Sequence, residues 1–353
     1  ADKSLRKDYC RMFPEWTWVV GLMIGAAIGS FLNVVIYRMP RGLSLGEPKH
    51  SFCPNCRTQL RTADLVPLFS WLLQKGRCRH CQNPIAARYF IVELITGGLF
   101  AVFWWQHLIA GQDPVKCVVY SLTAAALVAA IFTDLQFFII PDQINASMLI
   151  FGLAGGTYAL LTGQEGAWMG PLPAAVAGAL VGTGVLWGIA FLGRLAFGKD
   201  AMGHGDIKMA RGIGAVLLPV GALVSFGLAV FLGAVLGVLQ ILVRKKAAAT
   251  AAAEEEPAEE DYEPESIGSL LKCGLGYVLC FDVIGLFLPK FYEWWFGENP
   301  FAYESVEEED WEPGVTTIPF GPYLALGALA LMIFQGPIFE WLQAYWSQAT
   351  GGL

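Results

Sequence analysis

Long uncharged apolar runs alternate with short charged connections along almost the whole chain. They cover residues 16–37, 117–133, 143–164, 166–193, 212–243 and 313–339. A further run, 89–112, is broken only by Glu93. A helix needs about 20 apolar residues to cross a bilayer, so each run reads as a candidate span. The 212–243 run holds Pro219, which removes a backbone donor and breaks or bends a helix. It therefore predicts a short helix over 207–218 and a full span over 220–243. Residues 268–292 are apolar but carry Lys272 and Asp282. They predict an eighth span, a re-entrant hairpin or an interfacial helix. The pattern as a whole predicts an all-α polytopic membrane protein of about eight membrane helices. The first run is too long for the apolar core of a cleavable signal peptide. No repeat at solenoid periods is present.

Composition agrees. The chain is 55% hydrophobic and 15% charged, with a mean hydropathy of +0.51, whereas soluble domains are about 25% charged. The net charge of −7 is local, because 15 of the 30 acidic residues lie in 254–265 and 298–312. The rest is modestly basic, and nothing supports a nucleic-acid role. Lysine and arginine distribution sets orientation. The 38–88 segment has nine of them against two acids and should face the cytoplasm. So should 194–211 and the cluster Arg244, Lys245 and Lys246, while 163–170 should lie outside. The N-terminus then lies outside, against its own Lys3, Arg6, Lys7 and Arg11. The expected organisation is a first helix within 1–37, a cytoplasmic loop domain over 38–88 and a membrane core over 89–243. An acidic insertion over 244–317 and a last helix within 318–353 follow. The Ala- and Glu-rich stretch 247–265 reads as a solvated linker.

Four of the eight cysteines form two C-x-x-C pairs, Cys53/Cys56 and Cys78/Cys81, with 21 residues between the pairs. Four thiolates can enclose one tetrahedral zinc and leave no open position, so the predicted role is structural. A loop of about 50 residues with little apolar content gains its missing folding energy from such a metal. His50 and His80 are nearby alternative ligands. Cys10, Cys117, Cys273 and Cys280 have no ligand spacing and read as small buried hydrophobes.

Two carboxylates stand out at one membrane face. Asp134 closes an apolar helix at its cytoplasmic end, and Asp206, 72 residues later, lies in GHGDIK at the same end of its spans. Ionisable groups at that depth are costly and suggest function. Two adjacent carboxylates share a proton, so one can act as base on water and the other as acid to a leaving amine. Gly203 and Gly205 would give clearance for an extended peptide. The alternative for each aspartate is a loop or cap residue. Asp142, after Pro141, reads as a helix N-cap.

Together these stretches resemble a family. GSFLNVVIYRMP (29–40), the two cysteine pairs, RYFIVELITG (88–97), TDLQFFIIPD (133–142), GHGDIKM (203–209) and IPFGPYLALGA (318–328) occur in the order found in type IV prepilin peptidases. These are bifunctional leader peptidase/N-methyltransferases of the G-x-G-D aspartyl class. The resemblance covers about 300 residues. It implies that Asp134 and Asp206 are catalytic, and that Gly203, Gly205 and Asp142 complete the two motifs. It also implies methylation of the new N-terminus from S-adenosylmethionine, prepilin or pseudopilin substrates, and a bacterial inner-membrane location. Lys208 either stabilises charge at the site or snorkels to the interface. Glu93 helps bind a basic leader or the methyl donor, or pairs with Arg88. Asn33 makes an interhelical bond. The chain departs from the family over 244–317, where a short loop is expected. If 318–323 is to stay cytoplasmic, 268–292 has to be re-entrant or interfacial. Rival readings are a peptidase without methyl transfer and a non-enzymatic transporter or assembly factor. A transporter would hold its charges near the midplane. His204 fills the variable motif position and receives no role.

Overall fold

The computed structural model describes residues 13–47, 50–53, 55–164, 170, 172–200, 202–248, 265–301 and 319–349. The expected linker over 247–265 lies almost wholly outside these residues. Helices dominate, and strand-like pairing among the described residues is limited to two isolated bridges, Phe52 with Gln59 and Arg77 with Pro84. Seven helices are long and apolar enough to cross a membrane, and an eighth span is possible if one bent pair counts as one. The chain is thus a multi-pass, all-helical membrane protein, as its hydrophobic pattern predicts. It divides into two compact units, residues 1–129 and 130–353, with the division inside helix α4.

In the first unit α1 (Trp18–Arg38) packs on α3 (Ala87–Phe103). Gly21, Gly25 and Gly29 form one face of α1, and a Cβ at any of them would collide with Trp104, Phe100 or Glu93. Small residues every fourth position let membrane helices approach this closely. The approach lets Asn33 Nδ2 donate to Tyr89 O at 3.0 Å. Between these helices lies the cysteine-bearing loop, with α2 (Phe69–Leu73). Trp71 stacks on Phe90 with ring centroids 5.2 Å apart and holds the loop to α3.

The second unit begins with the end of α4 (Pro114–Phe137) and holds α5 (Asp142–Leu161), α6 (Ala174–Phe197) and α7 (His204–Ala248). The short helices α8 (Ile267–Val278), α9 (Phe281–Phe287) and α10 (Pro289–Phe296) follow, and α11 (Gly321–Ala349) ends it. Gly178 on α6 faces Gly214 on α7 with no room for a side chain on either, so the two backbones are in close contact there.

Helix α7 is broken where Pro219 predicts, since Leu218 has φ 63° and ψ 173°. Its two limbs have different partners. The first limb, 204–217, packs on α5 and α6 through Gly212, Gly214 and Ala210. The second packs antiparallel on α11, with Gly221 near Leu331, Ala229 near Gly327 and Gly233 near Tyr323. Because Gly321, at the start of α11, abuts Asp134, the second limb returns toward the level of the first limb's start. The break is therefore a hairpin. The segment over α8 to α10 bends by 74° between α8 and α9, at Cys280 with φ 58°. It starts beside His204, through Glu265, and ends beside Gln143, which donates to Pro300 O at 3.5 Å.

Candidate active site

The turn between α4 and α5 creates the site. Phe138, with φ 54°, ends α4 and donates its N–H to Asp134 O at 3.0 Å. Pro141 then starts α5 with a preset φ of −55°. Residues 138–141 form a tight connection between α4 and α5 that drives Ile140 between two glycines. A Cβ on Gly205 would stand 3.2 Å from Ile140 Cβ, and one on Gly321 would stand 2.8 Å from Ile140 Cδ1. The side chain of Asp134, 6% exposed, accepts the backbone N–H of Gly321. Asp206 sits in the first turn of α7. Asn145 on α5 steadies that turn, donating to Gly205 O at 3.3 Å.

Asp134 and Asp206 line one cavity of about 300 Å³, together with Gly203, Gly205, Asp142, Lys208 and residues 298–300. Asp206 feels the charge of Asp134. Asp206 Oδ1 is buried and has no hydrogen-bond partner among the described residues. A buried carboxylate oxygen left open inside a cavity suits a group whose partner is a water or a substrate.

Asp142 does not cap α5, because Pro141 occupies the cap position and no side-chain cap bond is made. Instead both Asp142 oxygens accept from Lys208 Nζ, at 2.7 and 2.8 Å. Lys208 is 6% exposed and so does not snorkel. Its ammonium has found a carboxylate at the cavity wall, which satisfies it better than a stretch to the interface would. Tyr292 on α10 donates to Asp142 and accepts from Lys208 at 3.2 Å. Burial, with Asp142 alongside, pushes the Tyr292 hydroxyl pKa far up and keeps it protonated. A second cavity of about 480 Å³ adjoins the first, sharing Gly203, His204, Lys208, Tyr292 and Glu298 with it.

Glu93 and Asn33 lie in the first unit. Glu93 accepts the backbone N–H of Leu68 at 2.7 Å and a bond from Ser30, tying the loop to α3 and α1. In that loop the four Sγ atoms of Cys53, Cys56, Cys78 and Cys81 lie within 4.8 Å of one another. The two pairs adopt the same knuckle. Cys53 N–H donates to Thr58 O and Arg57 N–H to Cys53 O, while Cys78 N–H donates to Asn83 O and Gln82 N–H to Cys78 O. Arg57 and Gln82 take matching positive φ values of 56° and 58°. Tetrahedral zinc–sulfur bonds of about 2.3 Å place sulfurs roughly 3.8 Å apart, close to the 4.0 Å between Cys53 and Cys81. The residues fit a metal, and the fitting set contains neither His50 nor His80. Hydrogen bonds from Thr58 draw the Cys56 thiol down to about 6, while burial pushes the Cys53 thiol up to about 11.

Sequence reasoning left Gly321, His204, Tyr277, Tyr292 and the pair Arg211 and Asp282 without roles. Gly321 was within reach, since it lies in the PFGPY stretch. Arg211 and Asp282 were visible as charges within apolar surroundings.

Two family profiles match the chain. The bacterial peptidase A24 N-terminal domain matches residues 23–107, and the type IV leader peptidase family matches residues 121–238. A prepilin leader peptidase/N-methyltransferase of Myxococcus xanthus (strain DK1622) is 33% identical over 358 residues, covering 99% of this chain and 98% of its own. Proteins of that same name from Klebsiella pneumoniae and Neisseria gonorrhoeae are 35% and 31% identical. They cover 61% and 64% of this chain, and 91% and 81% of their own lengths. No solved structure matches.

Proposed function

Because the chain belongs to the type IV leader peptidase family, we propose that it is a membrane-embedded aspartic endopeptidase and N-methyltransferase with Asp134 and Asp206 as its dyad. It removes the basic leader of a prepilin or pseudopilin and methylates the new N-terminus. The observation that supports the dyad most strongly is the single cavity in which both carboxylates meet, with Asp206 Oδ1 lacking a partner.

The chemistry follows from sharing one proton. Two carboxylates that line one cavity and interact by charge share a proton, so one is base and the other acid. The ionised member takes a proton from a water, and the hydroxide oxygen bonds to the scissile carbonyl carbon. The protonated member then gives its proton to the leaving nitrogen as the C–N bond breaks. This returns the pair with its proton exchanged between partners. The Gly321 N–H holds the Asp134 carboxylate in place throughout. Gly203, Gly205 and Gly321 keep side chains out of the cavity's approaches. Lys208, neutralised by Asp142, fixes the neighbouring wall.

S-adenosylmethionine, when bound, supplies an electrophilic methyl group for the freed amine. The 480 Å³ cavity is within the size range of small-molecule sites. Asp200, Glu298 and the ring of Phe296 would hold a sulfonium there. Cys53, Cys56, Cys78 and Cys81 would hold a structural zinc that closes the loop without entering the reaction.

The protein acts in the bacterial inner membrane, with the loop domain over 38–88, the dyad and both ends of the 265–301 segment on the cytoplasmic side. The nine basic residues of 38–88 support that orientation. The α8–α10 segment enters and leaves on one face and so does not invert α11. The test is incubation of purified protein with a prepilin and isotope-labelled S-adenosylmethionine, read by mass spectrometry. Loss of the leader and one labelled methyl on the new N-terminus are expected. A trimmed but unlabelled pilin would remove the methyltransferase half, and an intact prepilin would remove the proposal.

A further inference from the structure

The first two turns of α7 carry two different faces. His204, Lys208 and Arg211 follow the i, i+4, i+7 spacing and share one side, while Asp206 lies roughly half a turn away at about 100° per residue. The 265–296 segment bonds all three of these side chains, and Lys208 pairs with Asp142 on α5 as well. His204 Nε2 meets Glu265 Oε2 at 2.8 Å, and His204 Nδ1 meets the Tyr277 hydroxyl at 2.8 Å. Lys208 bonds Tyr292 and lies over the rings of Tyr277 and Tyr292, 5.2 and 5.7 Å from their centroids. Arg211 makes a two-pronged pair with Asp282 and also donates to Tyr277 O. Arg211, Tyr277, Asp282 and Tyr292 are all 3% exposed or less.

A segment that merely filled space in a membrane protein would make apolar contacts. Burying this many polar groups is costly unless they are hydrogen-bonded. Here they are spent at three successive levels of one helix, at the turns that present Asp206. A buried pair is costly to break by removing one partner, so these bonds hold the helix in one position.

We infer that the 265–296 segment is a positioning clamp: Glu265, Tyr277, Asp282 and Tyr292 set the rotation and depth of the first turns of α7 so that Asp206 meets Asp134. This rests on the dyad reading above. It also gives His204, at the variable position of the G-x-G-D motif, a task as the clamp's outermost anchor.

The experiment is steady-state prepilin cleavage by the full-length protein carrying Tyr277→Phe and Tyr292→Phe together. Both variants keep the rings and remove only the hydroxyls. Misplacing a catalytic group by about 1 Å costs on the order of a hundredfold, so kcat per folded enzyme should fall about ten- to a hundredfold. KM should stay within about twofold. Folded fraction is taken from size-exclusion chromatography in detergent. If the double variant does not fold, Tyr292→Phe alone serves, with a fall of about fivefold expected. A kcat within twofold of wild type overturns the clamp. So does a loss that appears wholly in KM, which would make the segment a substrate wall. Asp206→Asn is assayed alongside: cleavage by that variant removes the dyad reading itself, whereas an inactive Asp206→Asn beside a fully active double variant removes only the clamp.

Discussion

Adding one carbon at Gly321 is expected to damage catalysis far more than stability. The first atoms of an alanine side chain there would press on Asp134 Oδ2, closer than any relaxed contact, with Ile140 Cδ1 at 2.8 Å and Asp134 Cγ at 3.2 Å. Something has to move. Ile140 is 7% exposed and has Gly205 on its other side, so it has little freedom. The Asp134 carboxylate faces the 300 Å³ cavity and can swing into it. Overpacking a closed core costs about 1–3 kcal/mol, but the open side here should hold the stability loss to the low end of that range. Moving a catalytic oxygen by about 1 Å costs roughly a hundredfold in rate. Gly321→Ala should therefore melt within a few degrees of wild type while kcat for prepilin cleavage falls ten- to a hundredfold. Detergent-purified protein, a synthetic prepilin substrate and a thermal melt on the same sample suffice. A folded Gly321→Ala enzyme with wild-type kcat would refute the reasoning, because it would mean that Asp134 does not work from the observed position.

Metal analysis should find one zinc per chain, and Cys78→Ser should lose it and lower the unfolding temperature. Zinc-free wild type with an unchanged melt would contradict the four-thiolate site. Lys208→Met leaves the partly exposed Asp142 carboxylate without its cation and should destabilise by about 1–3 kcal/mol. Lys208→Met combined with Asp142→Leu should recover part of that loss in a double-mutant cycle. Gly178→Leu would force α6 away from Gly214, and unfolding temperature and cleavage should fall together, unlike the selective loss expected at Gly321.

The features legible in the sequence share a cause: each is set by neighbours along the chain. Apolar runs predict spans because the bilayer fixes their length. The C-x-x-C spacing predicts a knuckle because three residues close that turn, and both knuckles carry a positive φ four residues after their first cysteine, at Arg57 and Gln82. Pro219 marked the break in α7 because a proline acts on its own helix. The errors lie where a distant partner decides. Asp142 follows a proline and starts a helix, which locally means a cap. What it does instead depends on Lys208, 66 residues away, and Tyr292, 150 residues away. Lys208 by itself suggests snorkelling, and only the folded α5 supplies the carboxylate. Glu93 reads as pairing or ligand-binding, and the fold adds a backbone N–H of the loop as a partner that no local pattern shows. His204 was silent because its partners are distant: Glu265 ends a stretch that reads as solvated linker, and Tyr277 lies in an apolar segment with no motif.

The central claim is that Asp134 and Asp206 act as one acid–base pair. The most direct measurement is single-turnover cleavage of a prepilin by Asp134→Asn and Asp206→Asn, each confirmed folded by its melt. Both isosteric changes remove the shared proton site while leaving shape intact. The account predicts that each abolishes cleavage to below about a thousandth of the wild-type rate, on the scale of losing an essential acid or base. Wild-type-like cleavage by either folded variant would contradict it.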